Sequence, residues 1–348
     1  MPPRIALLTP FASPSVRGNA ITVARVARGL RQRGLELATW DLSVASWDTV
    51  MREVEAFRPT LVHAFHAFRV GPLALRLARR AELPLVVTLT GTDANHDLFD
   101  PSRAPLVGRV LEGATRLVAF HDSIVERVTT ALPDLHERFA VIPQAVSLED
   151  GEPFDLAARW PVPAGRILFV FPAGIRPVKR PRLPLASFDS LVARRPDVRL
   201  LYVGPVLDPE EGRALGAALE DRVWAHHIGV VPHVQMASVL AQSDVVLNCS
   251  LSEGGMANSV LEAWALGRAV LASDIEGNRS LVEHGVTGLL FGDDADLLEN
   301  AERLATDPSL RARLGAAGRE TLNRRYPPER EIEGYLDVYR RLIPVPAA

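Results

Sequence analysis

The sequence predicts an α/β protein made of two successive halves, each a parallel sheet covered by helices on both faces. Three observations carry that prediction. β-type apolar runs alternate with helix-period stretches along most of the chain, the pattern of parallel strands joined by helical crossovers. The alternation breaks once, at Ser147–Gly165, a Pro-rich and Gly-containing stretch without periodicity that reads as a linker, and then restarts. At 348 residues the chain has room for two domains of ordinary size. The expected division is residues 1–150, joined by a final helix over 327–345, and residues 151–326. The cleft between two such halves is the default place for a site.

Hydrophobic residues make up 47% of the chain and charged residues 23%, without long charge blocks. The net charge of −3 gives no electrostatic footprint for a nucleic-acid partner. One cysteine, Cys249, excludes an internal disulfide and argues against a thiolate metal site. It follows the apolar Val245–Leu247, so it reads as a buried thiol. No apolar run approaches the roughly 20 residues that span a bilayer. The apolar run in the opening MPPRIALLTPF is too short for a signal peptide. A cytoplasmic protein is expected, with peripheral membrane contact left open.

In the first half, strands are expected at Ile5–Thr9, Leu35–Trp40, Thr60–Ala64, Leu85–Leu89, Arg116–Phe120 and Phe139–Ile142. Helices fall near Ala20–Leu30, Trp47–Phe57, Pro72–Ala81, Ala104–Glu112 and Asp122–Leu132. Ligands of such sheets bind beyond the carboxyl ends of the strands, which singles out the loops Ser13–Asn19, His63–Arg69 and Thr90–Asp97. The first loop lacks G-x-G-x-x-G, which argues against a nicotinamide or flavin enzyme. Gly18 permits close backbone approach, and Asn19 either caps the following helix or meets a ligand. In VTLTGTDANHD, Thr90, Gly91, Thr92 and Asp93 cluster where a substrate would lie. Asp93 is a candidate to hold a hydroxyl or act as a base, the alternative being a capped turn. His63, His66, His96 and His121 lie near strand ends without metal-ligand spacing, so no metal is expected.

In the second half, strands are expected at Ile167–Pro172, Val198–Val203, Trp224–Ile228, Asp244–Cys249, Ala269–Ser273 and Gly288–Phe291. Helices fall near Pro184–Arg194, Pro209–Ala218, Val234–Gln242 and Ser259–Leu266. After the first strand comes FPAGIRPVKRP, where Gly174 precedes Arg176 and Lys179. Two cations at a strand end suit a diphosphate, against the alternative of solvated surface charge. Arg180 and Arg182 read as ordinary surface charge.

The most informative stretch is Val245–Phe291. Glu253 opens a loop through Gly254 and Gly255, Asn258 and Ser259 stand where a helix begins, and Glu262 lies inside that helix. A helix start of this kind binds anions, because its first N–H groups lack intrahelical partners. A carboxylate further along suits vicinal hydroxyls such as those of a ribose, so the stretch suggests a nucleotide-sugar site. Asp294-Ala295-Asp296 follows Gly292 and opens a helix, where capping explains it better than metal binding. In the tail, Pro327-Pro328 precede a last helix with an apolar face of Ile332, Tyr335, Leu336, Val338 and Tyr339.

On these residues the chain resembles the retaining glycosyltransferases of family 4, which have the GT-B fold of two Rossmann-like domains facing across a cleft. The likeness spans nearly the whole chain: the Gly18-Asn19 loop, TGTD, G-x-R-x-x-K at Gly174–Lys179, the glutamate pair and GVTGLLF at Gly285–Phe291. More narrowly, GNAIT, GTDANHD, GRVLEGA, GIRPVK, VGPVLDP and SEGGMANSVLEA resemble the glycosyltransferase 1 domain-containing proteins. VTLTGTD and the EGG loop are also similar to the selenosugar synthases of selenoneine biosynthesis. The resemblance implies a donor site in the second domain. Arg176 and Lys179 would neutralise the diphosphate, Glu262 would bind ribose, and Glu253 with the Gly254–Met256 backbone would hold the sugar. Asn258 and Ser259 would meet phosphate, and the last helix would cross back to the first domain. It also implies retention of anomeric configuration, with a nucleotide sugar as co-substrate and neither metal nor cofactor.

Two departures stand out. The family pattern has seven residues between its glutamates and this chain has eight, Gly254 through Leu261. Thr90 stands where many relatives place a histidine. The acceptor stays open between a hydroxyl and selenophosphate or another small anion, for which Arg17, Arg69 and Arg109 are the first-half candidates. The rival readings are a nucleotide-sugar epimerase or hydrolase, and a non-catalytic donor-binding protein.

Overall fold

A computed structural model describes residues 3–344 apart from 14, 16, 149, 150, 152, 164 and 255. The chain divides into two compact units, Met1–Ala145 with Pro328–Ala348, and Val146–Pro327.

The first unit holds six parallel strands: β1 (Arg4–Thr9), β2 (Glu36–Asp41), β3 (Leu61–Phe65), β4 (Leu85–Thr88), β5 (Arg116–Ala119) and β6 (Phe139–Val141). Their order is β2-β1-β3-β4-β5-β6. Successive side chains of a strand point to opposite faces, and here both faces are buried. Ile5 and Leu7 pack with Val23, Val26 and Leu30 of helix Gly18–Gln32, and with Ile332, Tyr335 and Tyr339 of the last helix, Pro328–Arg340. Ala6 and Leu8 pack against Val50, Leu73, Val110 and Ile124 from four other helices. Strands covered on both sides must be apolar at nearly every position, which is why these runs are readable in the sequence.

The last helix is bound to the first unit by more than its apolar stripe. Arg25 donates from Nε and Nη2 to the Glu331 carboxylate, both at 2.8 Å, and the pair is buried. Gly29 allows the close approach, since a Cβ there would lie 2.4 Å from Ile332 Cδ1. His63, fully buried on β3, bridges Thr88 Oγ1 at 2.7 Å and Tyr339 Oη at 2.6 Å. His63 is therefore a strand residue, and the loop expected over His63–Arg69 begins only at His66.

The second unit repeats the scheme with β7 (Ile167–Pro172), β8 (Val198–Val203), β9 (Ala225–His227), β10 (Val245–Asn248), β11 (Ala269–Ser273) and β12 (Leu289–Phe291). Their order is β12-β11-β10-β7-β8-β9, the doubly wound dinucleotide-fold arrangement without its glycine fingerprint. The stretch expected as a linker is partly built into this unit. Phe154 N donates to Ser238 Oγ at 2.9 Å, Gln242 Nε2 donates to Phe154 O at 3.0 Å, and Leu156–Arg159 is a short helix. In the tail, Asp293 caps helix Asp294–Thr306 by accepting from Asp296 N at 2.9 Å.

Candidate functional site

In an open α/β sheet, the crevice at which strand order reverses is where two neighbouring loops part and leave room for a ligand. The second unit reverses between β7 and β10, and the first between β1 and β3. Most of the polar residues singled out in the sequence lie at the carboxyl ends of these strands and of β4.

In the second unit, the loop after β7 carries Arg176, in extended conformation, then a single turn Pro177–Lys179. Lys179 Nζ lies 2.5 Å from Glu253 Oε1 and 3.1 Å from Ser250 Oγ, both from the segment after β10. Glu253 Oε1 also accepts from Ser250 Oγ at 2.6 Å and Asn248 Nδ2 at 3.1 Å. Burial acts to raise the Glu253 carboxyl, but the Lys179 charge and these hydrogen bonds outweigh it and hold the group below the usual carboxylate range. Thus Lys179 is already paired with Glu253, and with Arg176 the three side chains carry a net single positive charge.

Asn248 extends the network. Its Nδ2 also donates to Ser259 Oγ at 3.2 Å, and its Oδ1 accepts from Ser250 N at 3.0 Å. Ser259 is in the first turn of helix Asn258–Ala265, so this one side chain ties the strand end to the helix start. Glu262, buried in that helix, accepts from His233 Nε2 at 3.1 Å. Asn248, Ser250 and His233 went unremarked in the sequence, because their partners come from other segments. Arg180 was misread as surface charge. It bends through the left-handed region, φ 47°, and donates from Nε to Cys249 O at 2.7 Å, holding the end of β10. Gly174 accommodates Leu207, whose Cδ1 would lie 2.5 Å from a Cβ, so packing explains the glycine without a ligand. Met256 is buried and Gly254 half-buried in the loop; Gly255 lies outside the described residues.

In the first unit, Asp93 has no exposed surface. Its carboxylate accepts from the backbone N–H groups of Gly91 and Ala67 at 2.8 Å, Thr90 at 3.0 Å and Ala94 at 3.2 Å. Asp93 opens a short π-helical turn, Asp93–Asp97, where a plain loop was expected. The reading of Asp93 as a base or hydroxyl ligand is corrected: its lone pairs are taken by backbone amides, and it holds the loops after β3 and β4 together. Gly91 turns at φ 129°, a conformation that favours glycine, so its role is also in shaping this turn. Thr90 is half-buried and Thr92 exposed beside it.

His66 follows β3 with φ 109°, uncommon for a residue other than glycine, and it is buried. Its Nδ1 accepts from the amides of Phe68 and Arg69 at 3.2 and 3.3 Å, and its Nε2 lies 2.9 Å from Thr92 Oγ1. Burial lowers the imidazole pKa, and this together with Arg69 outweighs the opposing charges of Asp93 and Asp97.

At the β1/β3 reversal, Arg17 and Arg69 both lie against the Phe11 ring, their guanidinium carbons 3.9 and 5.6 Å from its centroid. Arg17 is the residue before helix Gly18–Gln32, so Gly18 and Asn19 are inside the helix and Asn19 is not its cap. Asn19 Nδ2 instead reaches Thr9 Oγ1 at 3.5 Å. Arg109 is exposed on helix Ala104–Gly113, and nothing in the described geometry joins it to this pair.

The profile of glycosyltransferase family 4 matches residues 4–150, and that of glycosyl transferases group 1 matches residues 166–307. Glycosyltransferase 1 domain-containing protein 1 of Xenopus tropicalis is 28% identical over 326 residues, covering 91% of this chain and 92% of the relative. A D-inositol 3-phosphate glycosyltransferase of Frankia alni is 30% identical over 289 residues, covering 74% of this chain and 69% of the relative. The structure of Anabaena Alr3699/HepE in complex with UDP-glucose matches with a TM-score of 0.82 at 17% identity, over 97% of this chain and 100% of that one. Sucrose-phosphate synthase from Thermosynechococcus elongatus matches with 0.78 at 19% identity, over 98% and 99%. The two doubly wound units and these neighbours make the fold GT-B. The chain belongs to the glycosyltransferases, with a family 4 domain in its first unit and a group 1 domain in its second.

Proposed function

We propose that this glycosyltransferase takes its sugar from a nucleoside diphosphate donor, uridine-based, bound by the second unit. The observation that carries the reading is the cluster at the β7/β10 reversal. There Lys179 and Glu253 meet, in the loops that also carry Arg176 and lead to the helix of Glu262. In this reading the diphosphate lies against Arg176, Lys179 and the helix start at Asn258 and Ser259. Glu262 receives the ribose hydroxyls through Oε2, since Oε1 already accepts from His233. Glu253 and the backbone from Gly254 to Met256 hold the sugar, and Glu253 also keeps Lys179 in place. As the bond from the anomeric carbon to the diphosphate breaks, charge builds on the departing oxygen. Cations and N–H groups already in position stabilise it with little reorganisation. The acceptor forms its new bond to the same carbon and yields its proton to the departing diphosphate. Retention of configuration and independence from metal belong to the same proposal. Alr3699/HepE, which shares the fold, is solved with UDP-glucose, and this supports a uridine donor.

The acceptor is a hydroxyl in the first reading. Selenophosphate is the second, favoured by the arginine pair on Phe11 in the first unit. A thermal-shift screen of nucleotide sugars identifies the donor, because a ligand of the folded state alone raises the melting temperature. Donor turnover is then assayed with and without acceptors. Consumption independent of any acceptor replaces the transferase reading by a hydrolase or epimerase, and binding without consumption replaces it by a donor-binding protein. Glu262→Ala is expected to weaken UDP binding about tenfold or more; unchanged affinity sinks the ribose assignment.

A further inference from the structure

We propose that Asn248 is a positioning residue of the donor site: its amide fills a lone pair of the Ser259 hydroxyl, and so leaves that hydroxyl's proton for an oxygen of the diphosphate. This role rests on the donor reading above and adds to it a residue that acts through another side chain.

Asn248 ends β10, and its side chain is buried at the carboxyl edge of the sheet. The two ends of its amide are told apart by their partners alone. The backbone N–H of Ser250 can only donate, so the atom it meets at 3.0 Å is Oδ1. Nδ2 therefore faces Glu253 Oε1 at 3.1 Å and Ser259 Oγ at 3.2 Å, and both of its hydrogens are used. A second amide holds the first in this sense. Asn278, with no exposed surface, donates from Nδ2 to Ser273 O at 2.9 Å and approaches Asn248 Oδ1 at 3.4 Å. Turning Asn278 over would set its oxygen against those two oxygens. It keeps this orientation although its own Oδ1 is buried without a hydrogen-bond partner among the described residues. Asn248 thus cannot turn its amide without losing every one of these bonds.

An amide nitrogen has no lone pair to offer, so Ser259 Oγ accepts from Asn248 and keeps its own proton. Among the described residues no other polar group meets that hydroxyl. Ser259 is half-buried in the first turn of helix Asn258–Ala265, where backbone N–H groups lack intrahelical partners, so its proton is at hand for an anion there. A carboxylate in place of the amide would take that proton. At Glu253 the same amide shares Oε1 with Lys179, whose Nζ meets Oε1 and Ser250 Oγ and, among the described residues, no third partner. Lys179 hence keeps a hydrogen for the ligand while Asn248 holds the carboxylate beside it. The bond from the Ser259 hydroxyl to a phosphate oxygen is of the stronger, charge-assisted kind.

The test is a cycle of variants read by calorimetric titration of the full chain with UDP, or with ADP or GDP where one of these binds instead. Ser259→Ala is expected to weaken the nucleotide about tenfold. Ser259→Thr keeps the hydroxyl and is expected to stay within about twofold of the parent. Asn248→Asp sets an acceptor against Ser259 and adds a charge near the diphosphate, so it weakens binding as well. That charge cancels when Ser259→Ala is measured within the Asn248→Asp background. There it is expected to cost less than about twofold, because the hydroxyl already donates to the new carboxylate. A residue that only supported the fold would leave the cost of Ser259→Ala the same in both backgrounds. If Asn248→Asp does not fold, adding Glu253→Gln removes the excess charge, and the comparison is made in that double variant. Equal costs of Ser259→Ala in the two backgrounds, or unchanged affinity in Ser259→Ala, overturn the proposal and leave the donor reading standing. A parent chain that binds none of UDP, ADP and GDP overturns the donor reading, and the role of Asn248 with it.

Discussion

Each unit holds an acidic side chain beneath the loops at the carboxyl edge of its sheet, fully buried at Asp93 and largely buried at Glu253, and the two are satisfied in opposite ways. Asp93 takes its hydrogen bonds from backbone N–H groups, whereas Glu253 takes the described ones from the side chains of Lys179, Ser250 and Asn248. Backbone donors are fixed by the path of the chain, so the carboxylate they satisfy freezes that path. Side-chain donors turn about single bonds, so the carboxylate they satisfy is able to exchange partners when an anion arrives. The comparison makes Asp93 part of the architecture and supports the proposed place of Glu253 at the donor site.

The largest effect is expected at Asp93. Asp93→Ala strands several buried N–H groups, each worth about 1–3 kcal/mol, and should cost about 3–5 kcal/mol of first-unit stability by urea denaturation. A stable variant with a purely catalytic defect breaks the contrast. Next comes Lys179→Met, which leaves Glu253 without its counter-ion. Stability should fall by about 2 kcal/mol and turnover about 10²-fold. Adding Glu253→Gln should restore most of the stability and none of the turnover, and recovered turnover contradicts a role for the Lys179 charge.

Acidification separates the units through their titrating groups. Burial pushes His63 down to about 3 from an ordinary 6.5. Below pH 6.5 the unfolded chain therefore binds a proton that the folded chain refuses, and the first unit loses about 1.4 kcal/mol per pH unit until the folded value is reached. His66 acts in the same direction. Glu253, held below the usual carboxylate range, contributes stability that is complete above that range and lost only as pH falls through its lower folded value. Urea melts at pH 7 and 5 should show the first unit weakening first, and a first unit unaffected at pH 5 refutes the neutral-imidazole account. The smallest effect is expected from Arg180→Ala, about 1 kcal/mol in the second unit, from loss of its bond to Cys249 O.

The strands and helices were legible because burial on both sheet faces writes itself as local apolar pattern. Ile167–Pro172, Val198–Val203, Ala269–Ser273, Trp47–Phe57 and Pro184–Arg194 run as the spacing predicts. Lys179 and Glu253 were legible as polar residues at strand ends, but their pairing spans 74 positions and leaves no local trace. As a helix cap Asn19 was misjudged, because its position next to Gly18 looked like a helix boundary, and the helix starts two residues before the expected Ala20.

Alternation of strands and helices, the break near residue 150, the glycosyltransferase likeness and the candidate residues all follow from the amino-acid order, since propensity, periodicity and motif are local. Tertiary structure alone decided the strand orders, the Arg25–Glu331 pair that fastens the returning last helix, and which partners fill each acidic side chain. A carboxylate's role depends on who fills its lone pairs, and those partners are chosen by the folding of distant segments onto one another.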